Sequence, residues 1–193
     1  MQWPIEISNL VKEVFCNDEF KAYGQLATVD EEGLPSVRTV HMHGVEQPTY
    51  GLLVNCNIQS EKWSHVKKNP RVAGCLWNVE NHTQIRFQGV ADLITEKEKD
   101  FASLLQMMWM KMRPEVRTTY LLDELGIALD IARPTVDPRQ HSKNHGLLLI
   151  TPHVWDIFEN NPKDYRLGKR WIYKLKNNQW AWREVNSLHE KST

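Results

Sequence analysis

The sequence predicts a mainly β fold, a small closed barrel of antiparallel strands with helices added around it. Three observations lead there. Short segments rich in β-branched and aromatic residues recur between turn residues from Gly24 onward. A single short helical stretch, Ser60 to Lys68, separates the third of these segments from the fourth. The described periodicity ends on two strand-like segments, "RWIYKL" and "WAWREV", joined by "NNQ", a hairpin turn. Antiparallel strands joined in this way bury one face by curling on themselves.

In chain order, Ile5 to Cys16 places Ile7, Leu10, Val11, Val14 and Phe15 at helical spacing and reads as an amphipathic helix. "GQLATVD" alternates as a strand, and Asp30 to Gly33 is a turn. Ser36 to Gly44 is the second strand and Thr49 to Asn57 the third. Ser60 is placed to cap the helix that follows, and Asn69-Pro70 stops it. Arg71 to Val79 is a fourth strand, and Thr83 to Thr95 a long fifth with Gly89 as a bend or bulge. From Glu96 the period becomes helical, with Phe101, Leu104, Leu105, Met108 and Met112 on one stripe that reads as core. A second helix is expected to stop at Gly126, giving a helical section over about 96–126. Residues 133–146, with two prolines and polar side chains, read as a loop. Three further strands, beginning with "HVWDIF", complete one domain over residues 1–193.

Composition narrows the function classes. Lys plus Arg and Asp plus Glu are 24 each, so the formal net charge is zero. A general nucleic-acid or acidic-membrane binder would be basic, so any anion site here is local. No apolar run reaches bilayer length, and "MQWPIEISNLVKEVF" lacks the basic start and apolar block of a secretory signal. Three cysteines without C-x-x-C spacing suit reduced thiols in a cytoplasmic protein. Eight tryptophans supply apolar faces for a core, a subunit interface or a flat aromatic ligand.

Four stretches carry candidate chemistry. Lys62 falls in the first turn of the Ser60 helix, where the macrodipole disfavours a cation. Either it is an exposed lysine at a small cost, or an anion such as a phosphate sits at that end. On the strand Arg38 to His43, Arg38, Val40 and Met42 share one face and Thr39, His41 and His43 the other, and neither is cleanly apolar. Such a strand is an edge with a solvated side, or it lines a polar pocket. Gln84, Arg86 and Gln88 form a polar face on the fifth strand, and Gln84 is able to donate and accept together at a heterocycle's edge. Arg166, Gly168 and Arg170 lie two apart, which on an extended segment aims both guanidiniums the same way, whether at an anion or at solvent. His41 with His43 and His141 with His145 are the candidate metal pairs; no H-E-x-x-H or Cys/His cluster accompanies them, and no metal site is predicted.

Taken in order, "LATVDEEGLPSVRTVHMHG", "VNCNIQSEKWSHVKKNPRVAGCLW", "TQIRFQGVADLIT" and "YRLGKRWIYKL…WAWREV" resemble the pyridoxamine 5′-phosphate oxidase family of flavin proteins. The resemblance runs from about Gly24 to Thr95 and returns from about Val154 to Val185. It implies a Greek-key, antiparallel split β-barrel that pairs into a homodimer, with FMN in clefts between the subunits. It also implies that the strand bearing Arg38, Thr39, Val40 and His41 and the helix start at Ser60 and Lys62 hold the flavin phosphate and ribityl chain. Glu61 replaces the family's neighbouring arginine, and Asn55 with Cys56 replaces its Tyr-Thr pair. Gln84, Phe158 and Arg170 match the family's ring contacts.

The substrate side departs from the pattern. His43 stands for the family lysine, and Arg166 with Gly168 for its Arg-x-His pair. Arg113 matches a phosphate-binding arginine, with Trp109 and Arg117 in place of its tyrosine and serine. The expected function is an FMN-dependent oxidoreductase acting on a small anionic substrate other than the standard one, with no side-chain nucleophile. The alternatives are a non-catalytic flavin or small-ligand binder on the same barrel, and a barrel without cofactor.

Overall fold

The structure, a computed structural model, describes residues 2–16, 22–45, 50–121 and 139–185. Helix α1 (Ile5–Phe15) buries Ile7, Val11, Val14 and Phe15, the stripe its spacing predicts. Strands β1 (Tyr23–Val29) and β2 (Pro35–His41) form a hairpin whose turn is held by Asp30, whose Oδ1 accepts from the Glu32 and Leu34 amides. The predicted strand Ser36 to Gly44 is two strands. The chain breaks at Met42, whose amide donates to Ala22 O, and resumes as β3 (His43–Val45). The break is where the chain leaves β1 and joins β4 (Gly51–Asn57), a change of partner that no local pattern encodes.

Helix α2 (Glu61–Lys68) follows, then β5 (Arg71–Asn78) and β6 (Thr83–Ile94). The β6–β7 register shifts between Gln88 and Gly89, the bulge expected at that glycine. The helical section is shorter than predicted. A 3₁₀ turn at Lys99–Phe101 leads into α3 (Ala102–Lys111), and α4 (Pro114–Thr118) passes into a 3₁₀ turn ending at Leu121. The predicted stop at Gly126 lies outside the described residues, as does 133–138 of the predicted loop. His145 and Gly146, placed in that loop by the sequence, begin β7 (His145–Glu159). Its first half, "GLLLI", is buried on both faces and so has no alternation to read. Strands β8 (Lys169–Lys176) and β9 (Gln179–Val185) close the description. Asn177 and Asn178 both have positive φ, 48° and 62°, as a two-residue hairpin turn requires.

The sheet is antiparallel with order β2-β1-β5-β6-β7-β4-β3. Strand β7 pairs with β6 along one edge. Its other edge is divided, the first half pairing with β4 and the second with β8, which carries β9. The sheet thereby curls into a half-barrel, where the strand pattern alone had led to a closed one. Trp155 lies at the centre of the inner core, 5.7 Å from Trp3 and from Phe87 and 6.4 Å from Phe15, ring to ring. A second cluster, with Leu53, Leu147 and Leu149 beneath Leu105 and Met108, seats α3 on the outer face of β4 and β7. Of the predicted stripe, Leu105 and Met108 are core and Phe101 and Leu104 pack partly buried against them, while Met112 lies outside both clusters.

Candidate functional site

The end of β4 and the start of α2 bring together Arg38, Cys56, Ser60 and Lys62. Ser60 occupies the N-cap, but its hydroxyl makes no capping bond. It lies 3.2 Å from Cys56 Sγ and accepts from Lys62 Nζ at 3.3 Å. Arg38 reaches the same place from β2, donating from Nη1 to Thr28 Oγ1 at 2.7 Å and to Leu26 O at 3.2 Å, and from Nη2 to Ser36 Oγ at 3.0 Å. Thr28 is buried and bonded to His65 Nδ1 at 3.0 Å, which ties α2 to β1. Glu61 stands beside the cluster, 3.8 Å from Arg38 Nη2 and 4.0 Å from His65 Nε2. Burial lowers the Arg38 pKa against the pull of Glu61. Burial pushes the Cys56 thiol up, against Lys62, Ser60 and Arg38, so it stays a neutral polar contact. Two cations, a hydroxyl and the first N–H groups of a helix form a donor set suited to a phosphate.

The second group lies on the other face of the sheet. Cross-strand register sets Gln84, Phe158 and Arg170 side by side on β6, β7 and β8. They flank a depression of about 470 Å³ lined among others by Gln25, Cys75, Arg86, Gln88, Asp156 and Arg170. Thr39 faces the same side, opposite Gln25, and His41 stacks on Tyr23 at 4.9 Å. Arg38 and Val40 face the core, so the predicted cofactor residues of the Arg38 strand divide between the two faces. The predicted pairing of Arg166 with Arg170 fails. Residues Tyr165–Leu167 form a 3₁₀ turn in which Arg166 folds back on Asp164, with 81% of its side chain exposed.

Sequence reasoning missed Asp156, which binds both Arg86 and Arg170. Burial would raise its carboxyl, but the Arg170 and Arg86 guanidiniums outweigh that and hold it below the usual carboxylate value. The signal was available: alternation through "VWDIF" turns Asp156 to the face of Arg86. His145, which the sequence singles out only as a possible metal pair with His141, has a different setting. It is 1% exposed, and its Nε2 lies 2.8 Å from Asn55 Oδ1 and its Nδ1 2.8 Å from His141 Nε2. Burial and then His141 push it down to about 3, so the ring is neutral at pH 7. Trp109 and Tyr120 pack on it.

The predicted substrate residues are dispersed. His43 lies 4.1 Å from His41, ring to ring. Arg113 caps the N-terminus of α4 by position. Arg117 is buried, with Nη1 3.3 Å from Met110 Sδ and no hydrogen-bond partner for Nε. Among the described residues no group of three or more His, Cys, Asp or Glu is placed to hold a metal ion, and no helix is long and apolar enough to cross a membrane.

Residues 1–95 match the family model for the pyridoxamine 5′-phosphate oxidase FMN-binding domain. A pyridoxine/pyridoxamine 5′-phosphate oxidase of Rhodopseudomonas palustris is 37% identical over 151 residues, covering 75% of this chain and 69% of the relative. That of Burkholderia thailandensis is 39% identical over 80 residues, 40% of this chain and 36% of the relative, so the match spans about a third of that relative's length. Among solved structures, a pyridoxamine 5′-phosphate oxidase-related, FMN binding protein of Nostoc punctiforme superposes with a TM-score of 0.74 at 25% identity, over 86% of this chain and 87% of that one. PhzG from Burkholderia lata shares the fold, with a TM-score of 0.67 at 19% identity over 94% of this chain and 88% of its own. With a phosphate-suited donor set at the start of α2 and this degree of similarity, the chain belongs to the pyridoxamine 5′-phosphate oxidase family of FMN-binding split barrels, and its cofactor is FMN.

Proposed function

We propose that the protein is an FMN-dependent oxidoreductase that works as a homodimer on a small anionic substrate other than pyridoxamine 5′-phosphate. One observation supports the reading: the two groups we assign to the phosphate and to the ring lie on opposite faces of one sheet. Arg38 stands on the face of β2 opposite Thr39, and Ser60 and Lys62 meet Cys56 and each other at the start of α2. The ring-suited row, Gln84, Phe158 and Arg170, faces outward beside exposed Val37 and Trp77. One chain offers each half in a different direction, so a second copy completes the site.

Bound FMN would accept the hydride, and oxygen or another acceptor would take the two electrons from it in turn. The chain supplies position and charge. Arg38, Ser60, Lys62 and the helix N-terminus grip the phosphate, with Asn55 and Cys56 at the end of β4 and Val40 on the Arg38 face, while Thr39 and His41 stand on the ring side. Gln84 meets the ring edge, Phe158 packs on the ring, and Arg170 polarises it. On the substrate side, Arg117 supports an anionic ligand, since it is a buried guanidinium whose Nε is unpaired. Arg113 and His43 flank it in this reading, and Arg166 is the weakest member because Asp164 already engages it.

Gly168 bears on the substrate. A Cβ there would lie 2.9 Å from Phe158 Cε2 and 3.2 Å from Glu159 O. The family histidine at this position would therefore require Phe158 to shift. Without it, and with His43 in place of a lysine, the vitamin-phosphate grip is lost. A non-catalytic flavin binder is the second reading, favoured by Glu61, whose carboxylate engages the Arg38 that a phosphate would use.

The test is one preparation measured three ways: the absorbance spectrum with identification of the released flavin, light scattering, and peroxide production with pyridoxamine or pyridoxine 5′-phosphate. The expected result is FMN, a mass near twice 22.7 kDa, and little or no turnover. A monomer with FMN fully bound overturns the two-copy site, and turnover near one per second or faster, in the ordinary enzyme range, overturns the substrate reading.

A further inference from the structure

The outer face of β7 carries a carboxylate held between two guanidiniums. Arg170 donates from Nε to Asp156 Oδ1 at 2.9 Å and from Nη2 to Oδ2 at 2.8 Å, a bidentate grip, while Arg86 Nη2 meets Oδ2 from the opposite strand at 2.5 Å. The register explains it. Arg86 is directly across from Asp156 on β6, and Arg170, two residues along β8 from Ile172, which faces Asp156, reaches back diagonally. The side chains of Arg170 and Asp156 are 10% and 14% exposed, and that of Arg86 is 39% exposed. All three line the depression beside Gln84 and Phe158. The Asp156 carboxylate offsets part of the positive charge of the two guanidiniums, in a place where partial burial strengthens the field of each.

We propose that Asp156 is the positioning residue of the flavin-ring pocket: it fixes the orientation of Arg170 and Arg86 and sets the residual positive charge felt by the ring, and so its reduction potential. The proposal rests on the reading that the ring lies against Gln84, Phe158 and Arg170. Charge near the ring nitrogens is a lever by which a protein tunes a flavin. A carboxylate in bidentate contact with the nearest arginine controls both where that charge points and how much of it remains. An arginine held on two oxygens of a half-buried carboxylate also has few alternative rotamers, so the field is preorganised.

The experiment uses the FMN-loaded protein. Asp156→Asn keeps the shape and one acceptor for Arg170 but removes the negative charge. The midpoint potential of bound FMN is expected to move to a more positive value, and the affinity of sulfite for the bound flavin to rise about tenfold or more. Arg86→Gln removes the more exposed arginine, leaves the Asp156–Arg170 pair, and is expected to move both readouts the opposite way. It decides the matter if Asp156→Asn fails to fold. A structural role alone predicts a lower melting temperature for Asp156→Asn with potential and sulfite affinity unchanged, and that result overturns the proposal. Gln84→Leu separates the two levels. If it perturbs the visible spectrum of bound FMN while the Asp156 and Arg86 variants leave the potential unchanged, the ring placement stands and the role of Asp156 falls. If it leaves the spectrum untouched, the ring placement falls and the proposal with it.

Discussion

Replacing Lys62 with alanine tests the phosphate end of the site. Lys62 Nζ lies 3.3 Å from Ser60 Oγ at the N-terminal end of α2, where its charge and the helix N–H groups act on one anion. A charge-assisted contact of this kind contributes about 1.5–3 kcal/mol. That corresponds to a rise in the FMN dissociation constant of about 10- to 150-fold. Lys67 and Lys68 provide the comparison. They sit in the last turn of the same helix, and Lys68 is paired with Glu31. Alanine at either is expected to change affinity less than about twofold, the scale of an exposed pair. The assay is quenching of flavin fluorescence on titration with each variant, run with FMN and with riboflavin. Riboflavin lacks the phosphate, so Lys62→Ala should leave its affinity nearly unchanged. Equal losses at all three lysines, or a riboflavin loss as large as the FMN loss, would refute the assignment.

Glu61→Gln removes a like charge beside the same phosphate, and because the Glu61 side chain is 71% exposed the gain is discounted to about 1 kcal/mol, a roughly fivefold tightening of FMN in the same titration. Gly146→Ala puts a Cβ 2.6 Å from Trp63 Cζ3 and Cη2, so overpacking should cost about 1–3 kcal/mol and lower the melting temperature by several degrees in a thermal scan. Burial and His141 hold His145 at about 3, below its ordinary 6.5, so the unfolded chain binds the extra proton first. Its contribution is complete above about pH 6.5 and is lost as the pH falls toward 3. Denaturant unfolding across that window should therefore be steeper in pH for the wild type than for His145→Gln, and parallel curves would contradict the buried, neutral ring.

Local pattern was enough wherever one face of an element is buried and the other is wet. The α1 stripe, the alternation of Gln84, Ile85, Arg86 and Phe87, and the Asn177-Asn178 turn all report one-sided burial or a required backbone angle, and each stands where its period puts it. The first half of β7 has both faces covered, so it carries no period, and His145 was read as loop although it is buried and bonded to Asn55. The break at Met42 and the fork of β7 between β4 and β8 are choices of partner between strands far apart in the chain.

The same division holds for the candidate site. The residue types, an arginine and a lysine near a helix start, a glutamine on a polar strand face and an arginine near the C-terminal hairpin, are sequence facts, as is the zero net charge that makes any anion site local. That Arg170 answers Asp156 while Arg166, four residues earlier, turns away to Asp164 was decided only by tertiary structure. Spacing along a chain sets which side a residue faces only once the backbone conformation is known. The 3₁₀ turn at Tyr165–Leu167 is imposed by the Asp164 side chain accepting from the Arg166 amide, and it rotates the two guanidiniums apart. Which charges meet depends on register between strands, a long-range quantity that packing of the core settles and that no window of sequence contains.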